Sequence, residues 1–119
     1  MAVPSFLLKK LYVKSSLRNT DDGFELALKN NLAPGGLIGI GPVTLDDTTI
    51  PPASITIHTP QGDFQGDQIT SRNPLSFGLN VQVTIAVHGH TLTPGSHHVV
   101  VAILTREVGR IEIDLTDTV

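Results

Sequence analysis

The chain has 119 residues, a length that fits one domain spanning residues 1–119 with a core of its own. It has no cysteine, which excludes disulfides, thiolate zinc sites and cysteine nucleophiles and suits a reducing cytoplasm. The formal net charge is −3 and the basic residues form no cluster beyond Lys9-Lys10, a balance that argues against nucleic acid as a partner.

The opening "MAVPSFLLKKLYVK" lacks the order of a signal peptide, because its apolar Phe6-Leu7-Leu8 is short and is followed, not preceded, by Lys9-Lys10. No stretch approaches the roughly 20 apolar residues of a membrane span. The expected setting is soluble and cytoplasmic, without a membrane.

From there the dominant period is two. After a hairpin loop at Asn19–Gly23, Phe24, Leu26 and Leu28 alternate with Glu25, Ala27 and Lys29. "LAPGGLIGIGPV", Leu32 to Val43, is apolar, glycine-rich and almost uncharged, which suits a surface packed against a partner through Leu37, Ile38 and Ile40. Asp46-Asp47 and Pro51-Pro52 break the chain before Ile55 and Ile57, and Thr59–Gly62 and Arg72–Pro74 are further turns. No window reads as an amphipathic helix, although a single turn fits Asp67 to Ser71. Val81, Val83, Ile85 and Val87 form the next alternating run, and Ile111, Ile113 and Leu115 the last, after a tight turn at Val108-Gly109. About eight short strands with turns roughly every 8–14 residues indicate an all-β, antiparallel β-sandwich of jelly-roll type.

One strand departs from alternation. "VVVAILT", Val99 to Thr105, is apolar on both faces, so Val100, Ala102 and Leu104 must be covered by a loop, by the N-terminal segment or by another chain.

"VHGHTLTPGSHHVVV", Val87 to Val101, holds four of the five histidines. His88 and His90 share a strand face at a spacing of roughly 7 Å, which a metal ion can bridge. In a hairpin closed by Thr91–Ser96, His98 approaches His88 as a third ligand. The plainer reading makes these histidines polar residues at a hairpin end. No carboxylate lies nearby in sequence to orient them; the nearest are Asp67 and Glu107. The paired acids Asp21-Asp22 and Asp46-Asp47 read as turn residues, and Ser96-His97 lacks an acid partner and a nucleophile elbow. No cofactor is expected in this chain.

Two passages together, "GFELALKNNLAPGGLIGIGPVTLDDTTIPPASITI" (Gly23 to Ile57) and "LTPGSHHVVVAILTREVG" (Leu92 to Gly109), resemble the small beta subunit of C-glycoside deglycosidases. The resemblance implies a β-sandwich accessory subunit in a lyase complex. The larger TIM-barrel subunit of such a complex carries the divalent metal and the acid/base residues, and the pair cleaves the carbon–carbon bond of an oxidised C-glycoside. The near absence of aromatics beyond Tyr12 and four Phe departs from that picture, as does the unmatched Gln61–Leu79 region.

The leading expectation is therefore a non-catalytic accessory subunit that meets its partner through Leu37, Ile38, Ile40, Val100, Ala102 and Leu104. The alternative is a homo-oligomeric structural or binding β-sandwich without enzymatic activity, using the same faces on copies of itself. A third is a cupin-like metalloenzyme built on His88, His90 and His98.

Overall fold

The period-two runs fold as strands with one face turned inward. In the computed structural model, which describes residues 4–119 without the Ser5 side chain, Phe24, Leu26, Leu28, Ile55, Ile57, Val83, Ile85, Val87 and Ile113 are all at most 1% exposed. Met1–Val3, part of the opening read for targeting, lie outside the described residues. No described helix is long and apolar enough to cross a membrane.

A single helical turn, α1 (Ser5–Leu8), runs into a 3-10 turn at Lys9–Leu11. Ten strands follow: β1 (Arg18–Asn19), β2 (Gly23–Lys29), β3 (Gly35–Leu45), β4 (Thr48–Ile50), β5 (Ile55–Thr59), β6 (Gly62–Gln65), β7 (Leu75–Phe77), β8 (Gln82–His88), β9 (Ser96–Thr105) and β10 (Gly109–Thr118). They exceed the expected eight because β1, β4 and β7 are only two or three residues long and carry too little alternation to be seen in sequence.

The strands form two antiparallel sheets, ordered β1-β2-β8-β5-β6 and β10-β9-β3-β4, with β7 added to the start of β3. Their inner faces meet in a cluster that takes Phe24, Leu26, Ile57 and Ile85 from one sheet and Val43, Val99, Val101 and Ile113 from the other. This is the layered arrangement of a β-sandwich, in which side chains of two sheets fill one apolar layer.

Three sequence expectations change here. The Val87–Val101 stretch is not a hairpin: β8 lies in one sheet and β9 in the other, so the chain between them crosses the sandwich. Buried Leu92 anchors that crossing, and the Asn19 side chain stands in for a strand partner. Asn19 Nδ2 donates to the Leu92 carbonyl at 2.9 Å, and the Leu92 N–H donates to Asn19 Oδ1 at 2.7 Å.

The glycine-rich Leu32–Val43 segment, expected as a surface for a partner, lies largely inside its own sheet. Most of it is β3, a central strand paired with β9 on one side and with β4 and β7 on the other. Two register shifts, between Leu37 and Gly39 and between Ile40 and Val43, interrupt its alternation and hide its strand period.

On β9, neither a loop nor the N-terminal segment covers the second face within this chain. On that outer face Val100 is half-buried and Leu104 is 41% exposed. Ala102 alone is buried there, being small and flanked by β3 and by Glu112 of β10.

The N-terminal turn packs against β10, the last strand of its sheet, and places Leu8 and Leu11 in the core. Tyr12 bridges to Leu28 of β2, and its hydroxyl donates to Asp117 Oδ2 of β10 at 2.7 Å. The segment thus ties the two sheets together along one side.

Candidate functional site

The histidines sort by sheet. On β8, Val83, Ile85 and Val87 face inward, so His88 projects from the outer face of its sheet. On β9, Val99 and Val101 face inward, so His97 points to the interior and His98 to the outer face of the opposite sheet. His88 and His98 therefore stand on opposite sides of the sandwich, and half-buried His90 follows β8 in the crossing segment. The expected His88, His90 and His98 metal site is not assembled. Among the described residues no group of three His, Cys, Asp or Glu side chains is placed to hold a metal ion.

Four of the five histidines instead each meet one carboxylate. His58 Nδ1 lies 2.7 Å from Asp63, His88 Nδ1 2.7 Å from Asp22, His97 Nδ1 2.9 Å from Asp46 and His98 Nε2 2.7 Å from Asp114. Two of these partners come from the acid pairs that the sequence presents as plain turn residues. Strand register delivers them: Gly23 pairs with His88, placing the β1–β2 turn beside that ring, and Leu45 pairs with Val99, placing the β3–β4 turn beside His97.

His97 is the buried member. Its Nε2–H donates to the Thr93 carbonyl at 2.7 Å and its Nδ1–H to Asp46 Oδ2 at 2.9 Å. Both partners are acceptors, so the geometry favours the doubly protonated imidazolium. The Thr93 carbonyl and then the Asp46 carboxylate hold its pKa above the ordinary histidine value. Asp46 adopts φ 52°, a left-handed turn conformation that Asp tolerates. Its other oxygen accepts the His98 backbone N–H at 3.0 Å. The hydrogen bond from His97, then that backbone N–H, lowers the pKa of Asp46.

On the other sheet, His88 donates Nδ1–H to Asp22, and its Nε2 lies 2.8 Å from the Thr56 hydroxyl, which also reaches Gln65 Oε1 at 3.4 Å. The His88 hydrogen bond is the main cause that lowers the pKa of Asp22. Hydroxyl, imidazole and carboxylate have the atom order of a hydrolytic triad. Thr56, however, is nearly buried on a flat strand face rather than raised on a turn, and Asp22 is well exposed. The relay works as a tie from the β1–β2 turn across β8 to β5. Tyr12 and Asp117 form a comparable tie: burial, then the hydrogen bond to Asp117, raises the tyrosine pKa, while the donated hydroxyl lowers that of Asp117.

The concave feature of interest lies elsewhere. A cleft of about 130 Å³ opens at the end of the sandwich where β3 begins and the β9–β10 turn closes. Leu11, Leu37, Phe77, Ile103 and Ile111 form its depth, and Leu32, Gly36, Glu107 and Val108 its mouth. Two glycines at the head of β3 leave the space: a Cβ built on Gly36 meets nothing within 4 Å.

Of the expected partner-contact residues, Leu37 and Ile40 are core side chains and Ala102 is buried, so none of the three offers a side chain to a partner. Ile38 and Val100 are half-exposed and Leu104 is open.

These features define a two-sheet antiparallel β-sandwich organised around histidine–carboxylate ties. A family profile, hydroxymethylglutaryl-CoA reductase, N-terminal domain, matches residues 7–119, and the chain belongs to that family. No curated protein matches the chain.

The family assignment overturns the resemblance to the C-glycoside deglycosidase beta subunit, and with it the lyase complex that the resemblance implied. The passages that carried the resemblance encode general features of a sandwich. Gly23–Ile57 spans β2 to β4, the Pro-Pro turn and the start of β5, and Leu92–Gly109 spans the crossing and β9. Strands spaced by Pro-Gly and Asp-rich turns recur across unrelated sandwiches.

Proposed function

We propose that the chain is a structural or binding β-sandwich that associates with copies of itself through the outer face of the β10-β9-β3-β4 sheet. The observation that carries this reading is the apolar row on that face, with Leu104 41% exposed and Ile38 and Val100 half-buried beside it. Contiguous apolar side chains rimmed by polar ones on an outer face suit an association surface.

Charge on the neighbouring strand supports a second copy as the partner. The outer face of β10 presents Arg110, Glu112 and Asp114 in alternate positions. Within the chain Arg110 pairs with Glu112 at 3.1 Å and Asp114 with His98 at 2.7 Å, and a two-fold axis would let two copies exchange such pairs across an isologous interface. The proposed setting is the cytoplasm.

Sedimentation equilibrium over a hundredfold concentration range tests it. The wild-type chain should form a defined oligomer, and Leu104→Asp should sediment as a monomer with an unchanged circular dichroism spectrum. A wild-type chain that is monomeric throughout that range rules the reading out.

A further inference from the structure

The cleft at the end of the sandwich is separate from the outer face just discussed and has chemistry of its own. Its depth is apolar, and its volume of about 130 Å³ is slightly below that of the roughly 150 Å³ engineered apolar cavity that accommodates benzene. A branched aliphatic group of about four to six carbons fits a space of this size. The cleft is preformed, because two glycines and the β9–β10 turn bound it and no side chain has to move to open it.

Polar groups at the mouth narrow the ligand class. Asn30 is fully engaged: its Nδ2 donates to the Ala33 and Phe77 carbonyls at 2.7 Å each, and its Oδ1 accepts the Leu32 and Ala33 N–H groups. Glu107 is not. Oε1 accepts the Gly36 N–H at 3.1 Å, while Oε2 has no hydrogen-bond partner among the described residues. A second depression adjoins the first, sharing Gly36 and Glu107 and adding Ser76 and Arg106. Glu107 thus stands at the mouth of the apolar cleft, and Arg106 lines the depression that adjoins it.

A simple amine would meet Glu107 but be repelled by Arg106, and a simple carboxylic acid would face the reverse. From this pairing we infer that the cleft binds a free hydrophobic α-amino acid of the leucine type. The branched side chain fills the apolar depth, the α-ammonium lies at Glu107 and the α-carboxylate at Arg106. The volume sets the side-chain size, and the paired opposite charges select the zwitterion.

The test is a set of amide-detected NMR titrations of the full chain with L-leucine, 3-methylbutylamine, 3-methylbutanoate and glycine. Leucine should give saturable shifts confined to Gly35, Gly36 and Val108. The amine and the acid, each lacking one charge, should bind about three- to five-fold more weakly, the scale expected of an exposed ion pair. Glycine, lacking the side chain, should not bind. Glu107→Gln keeps the acceptor for the Gly36 N–H and should cost leucine a similar factor, as should Arg106→Gln, with the remaining resonances in place. No saturable shift with leucine overturns the proposal, and so does binding of the amine or the acid as tightly as leucine. Shifts centred on Val100 and Leu104 overturn it too, whatever the sedimentation result.

Discussion

His97 and Asp46, 51 positions apart in the chain, meet at 2.9 Å, and the Thr93 carbonyl closes on the opposite ring nitrogen at 2.7 Å. Three segments converge on one nearly buried imidazole: the β3–β4 turn, the crossing from β8 and the first turn of β9. The ring is held between two acceptors, and its charge state is therefore part of the fold.

Alkaline pH should weaken the fold. The His97 pKa is raised in the folded state above 6.5, chiefly by the Thr93 carbonyl and then by Asp46. Its contribution is complete below 6.5 and is lost as pH rises through the higher folded value. Urea unfolding from pH 6 to 9 should show wild-type stability falling relative to His97→Gln. A wild type that gains stability on the variant over that range would contradict the geometry.

At acid pH the sign reverses. Asp22, Asp46 and Asp117 all have lowered pKa values, each first through a side-chain hydrogen bond, from His88, His97 and Tyr12 respectively. Their contributions are present above 3.8 and disappear as pH falls through the lower folded values. Combined with His97, this places the stability maximum between 3.8 and 6.5. Asp46→Asn should flatten both limbs, since it removes the carboxylate that serves each; a profile with the wild-type slopes would refute the shared role.

Two glycines should behave in opposite ways. A Cβ on Gly23 would stand 1.8 Å from the Val87 carbonyl oxygen, inside the backbone of β8. Gly23→Ala should cost about 3 kcal/mol or more, because a strand must move. Gly36→Ala meets open space and should stay within about 0.5 kcal/mol of wild type. Thermal melts of the pair decide the matter, and equal losses would mean that β2 and β8 are not in the register described.

His88→Ala and His98→Ala should be independent. The two rings sit on opposite outer faces and pair with different carboxylates. The double variant should therefore lose the sum of the single losses, to within about 0.5 kcal/mol. A coupling energy well above that, or stoichiometric zinc lost in both single variants, would restore a shared site.

The sandwich was legible wherever burial and alternation coincide, as in Phe24, Leu26 and Leu28, in Ile55 and Ile57, and in Val83, Ile85 and Val87, all turned inward. β3 was harder to see because its register shifts blur the period, and β9 because a short Ala102 is shielded by neighbouring strands without any covering layer. The Phe6–Leu8 run, weighed only as a targeting signal, forms part of a helical turn too brief to show a 3.6-residue period. The site was the least legible part. His88 lies 66 positions from Asp22 and His97 51 from Asp46, so local composition carries no sign of either pairing. Only the assignment of β8 and β9 to different sheets decides which carboxylate each ring finds, and the turn-like Thr-Pro-Gly between them concealed that division.

The N-terminal turn against β10 has a consequence for how copies of the chain behave in a crowded solution. β10 is ten residues long and ends its sheet. A strand of that length with a bare backbone edge is a template for adding further strands without limit. With Leu8 and Leu11 seated in the core, the Ser5–Leu11 turns lie against that strand and stand in the way of such addition. Losing that packing would leave a longer stretch of β10 open to a new strand.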